Sequence, residues 1–439
     1  MAIALASAIA LGQEPATALG GETSVPHSGI NAFSQPAANL GERDLTRFFV
    51  GNSFFKRNWV QAPASATARD GLGPRYNARS CSGCHLLDGR GGSPLFSNNG
   101  FVVRLDPNSG QHAIGGQLQD LAISGVAPEG ELVVERGSIP DRMSGLGAAA
   151  VQPRFLIRVP GSGGGQTTAT KTIDQVSLRI GPALIGLGLL EAIPEHEVIA
   201  GADANDDNGD GISGRINRVT NHHTGQMELG RFGWKAGMPD VANQVAMALW
   251  QDMGITNPLH PEQNCNRADA ECALSPSGGS PEISGQLFEA LVFYSRSLAP
   301  PIARKANNFA SGFRIFQKIG CDDCHRPHWN TANEFEIEAF ARQSIWPFTD
   351  LLLHDMGPGL ADEVSEAEAA GPEWRTPPLW GLGLIKKINP NTGYLHDGRA
   401  ATIEQAVLWH GGEASRALEQ FVQLQSRDKA WLLEFLEAL

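Results

Sequence analysis

The chain lacks any run of about 18 apolar residues, which leaves no candidate for a membrane-spanning helix. It also lacks clustered Lys and Arg: 34 basic residues stand against 47 acidic ones, a formal net charge of -13. Phosphate backbones are bound by clustered cations, so nucleic acid is excluded as a partner, whereas a small basic electron carrier would be attracted. Cysteine is scarce. Six residues in 439 cannot staple a scaffold of this size, and the length suffices for two or three domains with cores of their own. No Lys or Arg precedes Arg43, so the apolar start at 1–10, with Ala8-Ile9-Ala10 resembling a signal-peptidase site, is a poor or shortened leader or else a flexible tail.

What the chain does contain is punctuation. Its 51 Gly and 27 Pro are spread throughout, as suits a loop-rich globular protein. Apolar spacing predicts helices over 42–59, 186–193, 241–253, 283–298 and 308–319. Strand-like runs occur at 101–105, 132–134 and 155–159, with a glycine loop at 161–165. Ala299-Pro300-Pro301 breaks the fourth helix and is the predicted domain boundary. The expectation is a mainly α protein of two domains, the first carrying a β-containing insertion: 1–29 as leader or flexible N-terminus, 30–300 and 301–439. In the second domain Gly312 and Phe316 share a helix face, and Trp431, Leu432, Phe435, Leu436 and Leu439 form a stripe on a last helix. Gly312 would let the two helices cross closely.

Four cysteines lie in Cys81-Ser82-Gly83-Cys84-His85 and Cys321-Asp322-Asp323-Cys324-His325. Two thiols at this spacing add to the two vinyl groups of haem, and the adjacent His becomes the proximal iron ligand. Two covalently bound haem c groups are therefore expected, which makes the two domains cytochrome c-like haem domains, and neither motif has the further thiols or imidazoles of a zinc site. In bacteria such haem is attached beyond the inner membrane, which argues for a periplasmic protein. The remaining Cys265 and Cys272 suggest a local disulfide, with free thiols or a metal site as alternatives. Asp206, Asn208 and Asp210, followed by Gly211, match the head of a calcium loop. Position twelve is Asn217 instead of Glu, so an Asx-turn loop without metal is the competing reading.

Thr402 and Gln405 form a capping box, and the helix they open stops at Gly411-Gly412 with His410 at its end. The runs Trp374-Arg375-Thr376-Pro377-Pro378-Leu379-Trp380 and Tyr394-Leu395-His396-Asp397-Gly398, continuing to Ala406, resemble the C-terminal haem domain of bacterial dihaem cytochrome c peroxidases. The whole chain more closely resembles the di-haem oxidoreductase family of peroxidase-like proteins, some labelled thiol oxidoreductases. That resemblance is carried by residues 80–90, 115–120, 186–195, 209–215, 230–236, 350–362 and 373–414.

The resemblance implies a relay haem whose distal ligand lies fourteen residues after the His of the HDG motif, which is His396; the count reaches His410 where the peroxidases have Met. A bis-His relay haem of lower potential follows, against a turn histidine with no metal. It further implies that His354, Met356 and their neighbours line the second haem. His112, Gln117 and Gln119 are candidates for catalysis at the first, where hydrogen peroxide would react, and a structural calcium is more plausible. The function implied is an oxidoreductase, plausibly a peroxidase fed by a small cytochrome c or cupredoxin. Its rivals are a non-catalytic electron-transfer or iron-handling protein, and a dihaem enzyme oxidising a protein or organic substrate.

Overall fold

The computed structural model describes residues 15–97, 99–106, 115–136, 153–159, 171–173, 175–265, 269–362 and 364–439. The expected leader at 1–10, the glycine loop at 161–165 and His112 lie outside the described residues.

Two helix pairs of the same construction organise the molecule. Helix Glu42–Lys56 has Glu42 and Asp44 in its first turn and Lys56 in its last, matching the helix dipole, and it buries Phe48, Gly51 and Phe55 along one stripe. It crosses Gly285–Arg296, whose N-cap Ser284 accepts a bond from the Leu287 N–H. The crossing point is Gly51: a Cβ there would lie 2.1 Å from the Ala290 carbonyl oxygen and 2.6 Å from Tyr294 Cβ. Helix Phe309–Lys318 crosses Ser426–Ala438 in the same way, with Gly312 at the contact. Its Cβ would meet the Trp431 carbonyl at 2.3 Å and Phe435 Cβ at 2.5 Å. Four residues after each glycine stands a phenylalanine, and Phe55 and Phe316 lie 6.4 and 6.3 Å from the rings of His85 and His325.

The β structure is more widespread than an insertion. Phe101–Leu105 pairs antiparallel with Val176–Ile180 on one side and Gln117–Leu118 on the other, while Glu131–Arg136, Pro153–Val159 and Lys171–Ile173 form a second three-stranded sheet. Val103, Leu118, Ile157 and Leu178 pack in a small core of their own. Two-stranded ribbons also occur elsewhere, among them Arg218–Thr220 with Met227–Leu229 and Leu353–Asp355 with Glu373–Arg375. Among the described residues only 30% are helical and 15% in strands, which overturns the expected mainly α class. The physical reason is the glycine and proline content. Long segments leave the helical region and satisfy their peptide groups through side chains, as Lys235 Nζ does by donating to the carbonyls of Ala370, Gly371 and Glu373.

The larger core is continuous from Leu19 to Leu439. The Ala299-Pro300-Pro301 segment is buried within it, and Val25 N–H bonds to the Pro300 carbonyl. Among the described residues no helix is long and apolar enough to cross a membrane. Cys265 and Cys272 form a disulfide with Cα atoms 5.7 Å apart.

Both crossings have no room for a side chain, so Gly51→Val and Gly312→Val should each destabilise the protein by ~1–3 kcal/mol or more through overpacking. Chemical denaturation of the variants checks this. Wild-type stability in either would mean that the helices do not touch there.

Candidate functional site

Cys81–Cys84 is a single helical turn, and His85 N–H bonds to the Cys81 carbonyl. The His85 ring is oriented from outside the motif: its Nδ1 donates to the Pro182 carbonyl at 2.9 Å, which places the lone pair on Nε2. Gly181 permits that approach, since a Cβ there would stand 2.8 Å from His85 Cε1. Asp88 fixes the chain after the motif by accepting from Tyr294 Oη at 2.6 Å and Ser34 Oγ at 2.5 Å. The second motif repeats the plan. His325 Nδ1 donates to the Phe348 carbonyl at 3.0 Å, and Phe348 and Leu351 hold positive φ to present that segment. Burial lowers the pKa of His85 and, with His410 adding repulsion, takes that of His325 to about 4, so both imidazoles are neutral at pH 7.

The two centres differ in what surrounds them. Against Cys81, Cys84 and His85 lies a cavity of about 260 Å³, walled by helix Val241–Asp252, Phe101, Ile180, Trp234 and Trp380. Four guanidiniums, Arg90, Arg104, Arg179 and Arg375, also line it. Arg90 Nε and Arg104 Nε are buried without a hydrogen-bond partner among the described residues. Unsatisfied cationic donors in an apolar cavity call for anionic acceptors. A haem carries two propionates and an apolar ring, so this donor set, two free thiols and an oriented Nε2 fit it.

Glu366 is the counter-charge in the wall, 2.7 Å from Arg179 Nη1 and 3.3 Å from Arg104 Nη2. Burial opposes its ionisation, but the two arginines outweigh burial and hold it below the ordinary range. Asp252 is pushed up to about 6, chiefly by burial. It accepts at 2.8 Å from Gln117 Nε2, which also donates to Asn77 Oδ1.

At the second centre His410, just beyond helix Ile403–Leu408, is half-buried. Thr402 Oγ1 caps that helix by accepting from Gln405 N–H, and Gln405 Oε1 accepts from Ala401 N–H. His410 Nδ1 donates to the Ala406 carbonyl at 2.8 Å, again presenting Nε2. Both ring nitrogens of His354 are engaged, Nε2 with Asp350 at 2.8 Å and Nδ1 with Glu413 at 2.7 Å. Burial opposes its charge, yet the bonds to Asp350, Cys324 and Glu413 prevail and raise its pKa well above 6.5. Met356 packs at the edge of the core, and the following Gly357 abuts Gly412 just beyond His410.

Other sequence candidates fall elsewhere. Gln117 lines the cavity; Gln119 does not, and donates to the Gln251 carbonyl. His396 stacks on Trp374 at 3.7 Å, with burial lowering its pKa to about 3, and its carbonyl accepts from Ile180 N–H. In the acidic loop, Asp206 accepts from Gly211 N–H, Asn208 from Asp210 N–H and Asp210 from Ile212 N–H, so these oxygens serve the loop's own backbone. Among the described residues no group of three or more His, Cys, Asp or Glu could hold a metal ion. The sequence reading missed Arg104, Arg179, Asp252 and Glu366, which no local motif marks. It read Gly312 and Phe316 on one helix face but missed the same Gly-x-x-x-Phe spacing at 51–55, which was there to be seen.

The family model described as "Di-haem oxidoreductase, putative peroxidase" matches residues 14–122 and 166–439. The chain belongs to this family. The di-haem oxidoreductase has no match among curated proteins. One solved structure that it resembles is titled "Kuenenia stuttgartiensis Hydrazine Synthase Pressurized with 20 bar Xenon", at 14% identity over 93% of this chain and 94% of that one, with a TM-score of 0.33. Membership establishes a di-haem oxidoreductase.

His354→Leu should cost ~3–5 kcal/mol at pH 7, since it leaves the Asp350 and Glu413 carboxylates without their shared cation. Comparison of urea unfolding with wild type checks it, and a neutral effect would mean that the trio is uncharged.

Proposed function

We propose that this protein is an exported, periplasmic dihaem c-type peroxidase. Covalent attachment is assigned to Cys81 and Cys84 with His85 as proximal ligand, and to Cys321 and Cys324 with His325. The observation that carries the reading is the difference between the centres: Arg104, Gln117, Asp252 and Glu366 stand together beside the first, and His410 presents Nε2 at the second. When bound, the haem groups would supply electron storage at the second centre and reductive cleavage of a peroxide O–O bond at the first.

The protein's own contribution follows from its side chains. Reduction of hydrogen peroxide takes two electrons and two protons and yields two waters. Asp252, with its pKa near 6, can hold and give a proton at neutral pH, while Gln117 fixes its orientation. Arg104 and Arg179 would offset negative charge developing on oxygen, and Glu366 fixes the two guanidiniums in the wall. At the second centre His325 and His410 would both hold the haem iron through Nε2, which suits electron passage and leaves no place for substrate. A net charge of -13 favours a small basic donor, a cytochrome c or cupredoxin. The disulfide suits an oxidising compartment.

The holoprotein should retain its colour after acid-acetone extraction and oxidise two equivalents of a small basic ferrocytochrome c per peroxide, at a rate that falls with ionic strength. Asp252→Asn should slow turnover by ~10²-fold or more. Absence of peroxide-dependent oxidation with cytochrome or cupredoxin donors would point instead to a non-catalytic electron-transfer protein.

A further inference from the structure

Helix Val241–Asp252 faces the cavity with Gln244, Ala248 and Asp252, and a second arrangement is built upon it that the haem centres do not use. His222 and His260 come from separate turns, yet their ring centroids lie 4.6 Å apart. Each turn is tied to this helix by a fully buried asparagine. Asn243 Oδ1 accepts from His222 N–H at 2.9 Å, and its Nδ2 donates to Asn221 Oδ1 at 3.0 Å. Asn257 Nδ2 donates to the Ala246 carbonyl at 2.9 Å, while Asn257 Oδ1 accepts from His260 N–H at 3.1 Å. Trp250 of the same helix stacks on His260 at 5.0 Å and 20°, and its own Nε1 is anchored on the Glu262 carbonyl.

This scaffold orients two imidazoles that have no evident structural task. His260 Nε2 is buried without a hydrogen-bond partner among the described residues, a costly arrangement for a polar atom unless something else satisfies it. His222 is exposed, which gives access from solvent. Two imidazoles on one metal at nitrogen–metal distances of about 2.0–2.1 Å have ring centroids roughly 4.5–5.2 Å apart for angles between square-planar and tetrahedral. The observed separation falls in that range.

We propose that His222 and His260 form a two-histidine site for a divalent transition-metal ion, with Cu²⁺ favoured, on the outer face of the helix that walls the first haem centre. Two imidazoles suit copper, nickel or zinc better than magnesium or calcium, and copper binds most tightly to a given nitrogen set. With no third protein ligand among the described residues, the remaining positions belong to water or to a donor atom from another molecule. The site is independent of the peroxidase reading and would stand if that reading failed.

The test is a Cu²⁺ titration of the untagged holoprotein, stripped of adventitious metal with a chelator. Equilibrium dialysis gives the stoichiometry, and a copper-minus-apo difference spin-resonance spectrum gives the ligands. One Cu²⁺ per chain, with hyperfine splitting from two nitrogens, is expected. His222→Asn lies on an exposed turn and should leave the haem spectrum and fold intact while weakening copper binding at least tenfold, and His260→Asn should do the same. Equal copper affinity in wild type and His222→Asn, or no copper retained at micromolar concentration, overturns the proposal.

Discussion

A peptide carbonyl held against Nδ1 of each CxxCH histidine is the constraint on which the rest of the structure depends. The motif alone brings two thiols and an imidazole together, but it does not decide which nitrogen carries the proton. The Pro182 and Phe348 carbonyls decide it, and each has to be delivered by a distant part of the chain. For His85 the delivery comes from strand Val176–Ile180, which runs directly into Gly181-Pro182 and is held by Phe101–Leu105 along its whole length. The β region therefore orients the first centre. For His325 it comes from the segment at 348–351, secured by Thr349 Oγ1 donating to the Thr376 carbonyl and by Asp350 N–H bonding to the Cys324 carbonyl.

The second organising feature is charge held out of water. Lys235, Arg179 and Arg104 meet Asp362 and Glu366 beside the first cavity, and Lys235 is wholly buried. Such a cluster is weak evidence for stability, because desolvation consumes most of the Coulomb gain. Its effect is positional: guanidiniums that would otherwise turn to solvent are fixed along the cavity wall. At the second centre the carboxylates of Asp350 and Glu413 do the corresponding work on His354, which frees His410 from competition as the imidazole that presents Nε2.

Much of this was legible in the sequence where a short motif fixes the chemistry. The two CxxCH motifs, the cap at Thr402 with the helix end at His410, and the strand at 101–105 are local features, set by neighbours in sequence. The helix at 42–59 was also readable, ending three residues early at Lys56 because the chain turns extended at Arg57. The overall class was not. A mainly α fold was expected because helical periodicity is easy to see, whereas ribbons two or three residues long, such as Leu353–Asp355 with Glu373–Arg375, leave no periodic trace. The cavity wall was invisible for a similar reason: Arg104, Arg179, Asp252 and Glu366 come from four separate segments and meet only through the fold.

The central claim is that one centre is open to substrate while the other is closed by two imidazoles. Low-temperature electron spin resonance of the fully oxidised holoprotein tests it most directly. One high-spin ferric signal from the centre at His85 and one low-spin signal of bis-imidazole type are expected, the latter lost in His410→Ala. Two low-spin signals that both persist in His410→Ala would contradict it.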